Sequence, residues 1–162
     1  PEMLSTITAH LYAQNMIFKY ANKFYREHKT IASPDKFEIT DEIYNDFVKF
    51  VESQDFKYTS ESEKDFEELV KTAKTEGYYD NIKEQLDLLE EELKSHKDND
   101  LVNNKKEISD ILKMEIVSRY YFQKGRIISA LNDDTELKRA VEILLNSNGK
   151  NEYETILKGI NN

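Results

Sequence analysis

Residues 60–77 read SESEKDFEELVKTAKTEG, and this stretch decides the fold class. Ser60 and Glu63 have the spacing of a capping box, in which each side chain accepts the other residue's free backbone amide. Phe66, Leu69, Val70 and Ala73 then recur at three- and four-residue steps, the period of a helix with one apolar face. Gly77 stands where a helix stops in a left-handed residue. Start, period and stop agree, which predicts a helix closed at both ends.

The same grammar runs in both directions. Upstream, Thr40 is a good N-cap, Asp41 and Glu42 suit the positive first turn, and Ile39 and Tyr44 are spaced as a hydrophobic staple. That helix buries Ile43, Phe47, Phe50 and Val51 and ends near Ser53. Residues 5–28 form one predicted helix, its broad stripe made by Ile7, Leu11, Ile17, Phe18, Ala21, Phe24 and Tyr25. Ser33-Pro34-Asp35 breaks the connector that follows. Phe56-Lys57-Tyr58 reads as an extended linker.

Downstream, Ile82, Leu86, Leu89 and Leu93 mark a coiled-coil-like seam from about Asp80 to Lys97. A turn over Ser95 to Asp100 implies an antiparallel return. The next helix is long: Ile108, Leu112, Ile116 and Tyr120 share a face, and the block from Ile116 to Phe122 is apolar nearly all round, as for a helix buried at its middle. Gly125 is the expected kink. Asn132-Asp133-Asp134 is a turn. A helix from Thr135 to Leu145 buries Leu137, Val141, Leu144 and Leu145, and a short one follows from Asn151 to Leu157. The architecture expected is an all-α, irregular antiparallel bundle of about six to seven helices. Its residues 1–38 are a helix and connector leaving an upstream domain, and 39–162 are the bundle, one domain overall. Pro1 in place of a Met reads as a piece of a longer or processed protein.

Composition narrows the function. The 162 residues include 4 Gly, 2 Pro, no Cys and no Trp. Phosphate-cradling loops and thiolate metal sites need residues the chain largely lacks. A net charge of −9 disfavours nucleic acid and anionic membranes, because neither phosphate nor lipid headgroup finds a basic patch. No apolar run approaches the roughly 20 residues of a membrane span.

Candidate chemistry is sparse. His10, His28 and His96 lack ligand spacing, and none has an acid three residues earlier, as a di-iron helix motif requires. Core packing accounts for His10, and helix C-termini suit His28 and His96. Ser33-Pro34-Asp35-Lys36 matches Ser-x-x-Lys but has no companion motifs, so Ser33 reads as a turn residue. Ser109 and Lys113 are a four-residue pair of the sort common on hydrophilic faces. Asp133-Asp134 and Glu90-Glu91-Glu92 lack the alternation and central Gly of a calcium loop. No catalytic, cofactor-binding or metal-ligating residue is assigned, and no cofactor is expected. Arg119, Tyr120, Tyr121 and Arg126 are the candidate interface, since Tyr and Arg are enriched at interface centres.

The stretch from Ile39 to Leu145 resembles the C-terminal helical region of Bacteroidetes-type carboxyl-terminal processing (tail-specific) serine peptidases. The resemblance rests on Ile39-Thr40-Asp41 with Phe47-Val48-Lys49-Phe50, on Asp55-Phe56-Lys57-Tyr58-Thr59, and on Tyr78-Tyr79-Asp80-Asn81-Ile82-Lys83. It is strongest over Glu115–Ile127 and continues through Ala140–Leu144. It implies a Ser–Lys dyad and a PDZ domain elsewhere in the polypeptide, a location in the periplasm or cell envelope, and a non-catalytic appendage here. Its implied partners are the peptidase core, protein substrates or an adaptor, or a second copy. Cytoplasmic residence is not excluded by the residues. The alternative is a free-standing helical adaptor that binds through Leu4–Tyr25 or Arg119–Arg126.

Overall fold

The computed structural model describes residues 4–133 and 135–145. Among them are eight helices and no strand: α1 (Thr6–Ala13), α2 (Met16–Glu27), α3 (Asp41–Ser53), α4 (Glu61–Glu76), α5 (Tyr79–Asp98), α6 (Asp100–Asn103), α7 (Lys105–Asp133) and α8 (Thr135–Leu145). The all-α reading therefore holds. Two parts stand out: a body of α1, α2, α3, α6 and the first limb of α7, and an arm made by the α4–α5 hairpin.

The first predicted helix is two. Asn15 adopts φ 60°, ψ 25°, a left-handed conformation that Asn tolerates better than most residues, and the chain turns there. The turn lets Ile7 and Leu11 of α1 and Met16, Ile17, Tyr20 and Phe24 of α2 enter the same core. The first limb of α7 supplies Ile108, Leu112, Ile116 and Val117, all fully buried, and α3 adds Tyr44, Phe47 and Val51. Aromatic edges lock the centre, with Tyr20 edge-on to Phe47 at 5.2 Å and Phe37 of the connector near edge-on to Phe24 at 6.2 Å. The Tyr20 hydroxyl donates toward Ile43 O at 3.1 Å and Asp46 Oδ2 at 3.0 Å, so this buried polar atom is satisfied.

Caps land where the sequence places them. Thr40 accepts from Ile43 N, the Ser60–Glu63 box is complete, and Gly77 closes α4 at φ 78°. The connector's Ser33 carbonyl accepts from Lys36 N and Phe37 N, which makes Ser33 a turn residue. Lys113 departs from its reading: its side chain is 3% exposed, and Nζ lies 3.0 Å from Glu38 Oε1. Helix periodicity puts position 113 beside buried Leu112 and Val117, so the ammonium reaches out through the core's edge to a carboxylate on the connector.

The arm is held to itself along a seam and to the body only at its root. Leu86 and Ala73 are buried in the seam, with Phe66, Val70, Ile82 and Leu93 half-buried. Leu89 leaves the predicted seam and is 44% exposed, because two helices without a third cover only one stripe of each. The root is a knot of polar contacts. Lys97 Nζ donates to both carboxylate oxygens of Glu63 at 2.8 Å and sits 4.7 Å from the Tyr58 ring centre. The Tyr58 hydroxyl donates to Asp100, and the Tyr58 ring lies 5.2 Å from that of His10. Helix α5 continues to Asp98, through the predicted turn, before this knot ends it.

The break in α7 falls at Phe122, not at Gly125. Phe122 has φ 55°, ψ −153°, a region seldom used by a bulky residue, and its side chain is 77% exposed. This overturns the expectation that the block through Phe122 is buried. Beyond the break the chain doubles back, so that a Cβ on Gly125 would overlap Tyr121 Cβ and lie 2.9 Å from Val117 Cγ1. Glycine is needed at 125 for that close return. Leu137 and Val141 of α8 are also exposed rather than buried. Leu144 and Leu145 side chains and the Asn151–Leu157 helix lie outside the described residues.

Two predictions follow from these packings. Gly125→Ala in an ordinary helix stabilises by about 0.5–1 kcal/mol; here overpacking reverses the sign, and a loss of about 1–3 kcal/mol is expected. Urea unfolding checks it, and a variant more stable than the parent would rule out the close return. For Glu63, burial pushes the carboxyl up, but the Lys97 ammonium and the Ser60 amide outweigh it and hold it below the usual range. A depressed folded-state value contributes stability above the unfolded value of about 4.3 and loses it as pH falls through the folded value. Glu63→Gln keeps the capping box and removes the charge. Its thermal midpoint should lie below the parent's near neutrality and converge on it in acid.

Candidate interaction surface

Where α2 and α7 meet, Arg119 is the central side chain. Its Nε donates to Asn22 Oδ1 at 2.8 Å and its Nη1 to Ser118 Oγ at 2.9 Å. The guanidinium carbon lies 4.6 Å from the Phe18 ring centre. Nη2 is 2.8 Å from Glu115 Oε1 but off the hydrogen-bond axis, so that contact is an ion pair rather than a directed bond. Helical spacing arranges this: Phe18, Asn22 and Tyr25 form one row on α2, and Glu115 and Arg119 are one turn apart on α7.

The neighbouring tyrosines fasten the connector. The Tyr120 hydroxyl donates to His28 O at 2.6 Å, and its ring meets Tyr25 edge-on at 4.9 Å. Burial raises the Tyr120 hydroxyl above its ordinary value. The Tyr121 hydroxyl reaches Ile31 O at 3.4 Å. Arg126 is exposed, on the second limb of α7. Thus three of the four candidate interface residues make intramolecular contacts, while Arg126 points to solvent. Phe18 and Tyr25, placed by the sequence in the buried stripe of the first helix, instead expose about half of their surface, and Phe122 is 77% exposed. The row spacing of Phe18 and Tyr25 serves an exposed row and a core stripe equally well.

The remaining polar side chains offer little chemistry. No group of three or more His, Cys, Asp or Glu side chains is placed to hold a metal ion among the described residues. His10 packs on Tyr58, and His28 stacks on Phe24 at 3.9 Å near the end of α2. Glu90 pairs with Lys94 one turn on. A concavity of about 960 Å³ between α2, the connector and α3 is lined by core aromatics and by Glu27, Glu42, Asp46 and Lys49. Asp46 there is engaged by Lys23 at 3.0 Å and by Tyr20. No helix is long and apolar enough to cross a membrane among the described residues.

In a comparison with known families, the model of the C-terminal helical domain of probable PDZ-proteases matches residues 7–144. The chain belongs to that family. No curated protein and no solved structure matches it. As a C-terminal helical domain, it presents a root knot, a jutting arm and an α2–α7 seam, all supported by polar side chains that brace helices.

Arg119→Ala would leave Glu115, 18% exposed, without its partner and uncover Phe18, so a loss of about 1–3 kcal/mol is expected. Arg119→Lys retains charge but not the fork or the flat stack and should fall between. Denaturant midpoints measure both, and an Ala variant within about 0.5 kcal/mol of the parent would mean the seam is held without Arg119.

Proposed function

We propose that this domain is a non-catalytic accessory part of a carboxyl-terminal processing serine endopeptidase. In this reading the catalytic Ser–Lys dyad lies elsewhere in the polypeptide, and the helical domain braces the core, takes part in assembly, or receives protein substrates or an adaptor. The observation that carries the reading is the family match over residues 7–144. Two others support it. The resemblance over Glu115–Ile127 is to processing peptidases in particular, and Arg119, Lys97 and Lys113 are engaged with partners in the fold. The same resemblance supports a location in the periplasm or cell envelope.

The reading separates domain from parent. The isolated chain should not hydrolyse peptides with unstructured, apolar C-terminal tails. The parent polypeptide should do so, and should lose processing of protein substrates when this domain is removed. Measured turnover by the purified 162-residue chain, surviving repurification and absent from a mock preparation, would refute the proposal.

A further inference from the structure

The charge of this chain is strongly segregated. Residues 4–26 and 116–132 contain no Asp or Glu and carry six Lys or Arg. These two stretches are α1–α2 and the part of α7 that flanks the Phe122 break. Two of the six, Lys23 and Arg119, are in ion pairs. Lys19, Arg26, Lys124 and Arg126 are exposed and form no ion pair among the described residues. Lys124 and Arg126 follow Phe122 within four residues, and Phe122 is 77% exposed.

The arm has the opposite character. Residues 60–100 hold fourteen Asp or Glu against six Lys or Arg, a net charge of −8 in a chain of −9. On one side of the hairpin Phe66, Leu69, Leu89 and Leu93 line an open apolar groove of about 290 Å³ with Asp65 on its wall. Leu69 is 47% and Leu89 44% exposed, so among the described residues the groove lies open. Among the described residues, an exposed aromatic with two nearby cations on α7 and an apolar groove on an acidic hairpin thus lie open on one molecule. No hydrogen bond or ion pair joins Phe122, Lys124 or Arg126 to the arm among the described residues.

From this complementarity we infer that the face of α7 around Phe122 in one copy receives the α4–α5 arm of a second copy of this chain. Phe122 enters the Leu69–Leu89 groove, and Lys124 and Arg126 face the acidic flank that includes Asp65. Each copy carries both surfaces, so a two-fold arrangement satisfies both at once. The strained, solvent-facing Phe122 is the aromatic anchor such an interface uses. This deepens the assembly role proposed above without requiring a peptidase, because the chain alone carries both surfaces; a self-association result therefore leaves the hydrolysis test untouched, and the reverse.

Sedimentation velocity on the 162-residue chain tests it. Between ~0.01 M and ~1 M ionic strength the Debye length falls from about 30 Å to about 3 Å. Dimers at low salt should weaken at least about tenfold at high salt, the response expected where steering and charge pairing contribute. Phe122→Ala and the double variant Lys124→Glu/Arg126→Glu should each weaken dimerisation about tenfold or more at low salt. Both alter exposed side chains, and circular dichroism checks that helicity is kept. Mixing the double variant with Asp65→Lys chains should restore association. A monomer at every salt concentration overturns the inference. So does a dimer indifferent to salt and to these substitutions.

Discussion

Burial of α2 against the first limb of α7 joins segments roughly ninety residues apart in sequence, and the body forms around that contact. Ile17, Tyr20 and Ala21 on one side and Ile108, Leu112 and Ile116 on the other are all essentially inaccessible. Each of the larger side chains contributes on the order of 1.5–3 kcal/mol by leaving water. That gain has to offset the entropy of closing a long loop, most of which is the connector, α3 and the arm. The polar contacts around the pair place it rather than drive it. Ser5 N donates to Glu107 at 2.9 Å, Arg119 to Asn22 at 2.8 Å, and the Tyr120 hydroxyl to His28 O at 2.6 Å. They set register between the helices and pin the connector over their end.

The arm depends on the same contact indirectly. Its two helices bury too little to compete with the core, with only Ala73 and Leu86 fully enclosed. Its direction is set at the root, where Glu63 belongs both to a helix cap and to the ion pair with Lys97. Tyr58 passes between them, bonded to Asp100 and packed on His10 of α1. A helix-start signal therefore doubles as the joint between arm and body. A domain built this way presents surfaces of unlike chemistry on its arm and on its body.

Much of this was legible residue by residue. The caps at Thr40, Ser60 and Gly77 and the buried faces of α3 and the first limb of α7 follow from contacts within one helical turn. The turn at Ser33 was read correctly for the same reason. The misreadings share a cause. Residues 5–28 kept a helical period across Asn15, because an apolar stripe continues whether or not the chain bends between its turns. Phe122 looked buried because an apolar block carries no mark of which side faces a neighbour. Gly125 was recognised as special, but its role is to let two limbs touch. Lys113 was assigned to a hydrophilic face because its burial depends on Glu38, from a distant connector.

Local signals in the chain were enough to give the all-helical class, the capped starts at Thr40 and Ser60 and the stop at Gly77. Capping and periodicity act between residues one to four apart, and one strand of text contains them entirely. Only packing in three dimensions decided which aromatic rows are covered and where α7 reverses. Those outcomes depend on which helices run out of partners. That is a property of packing in three dimensions, and no local stretch of the chain encodes it.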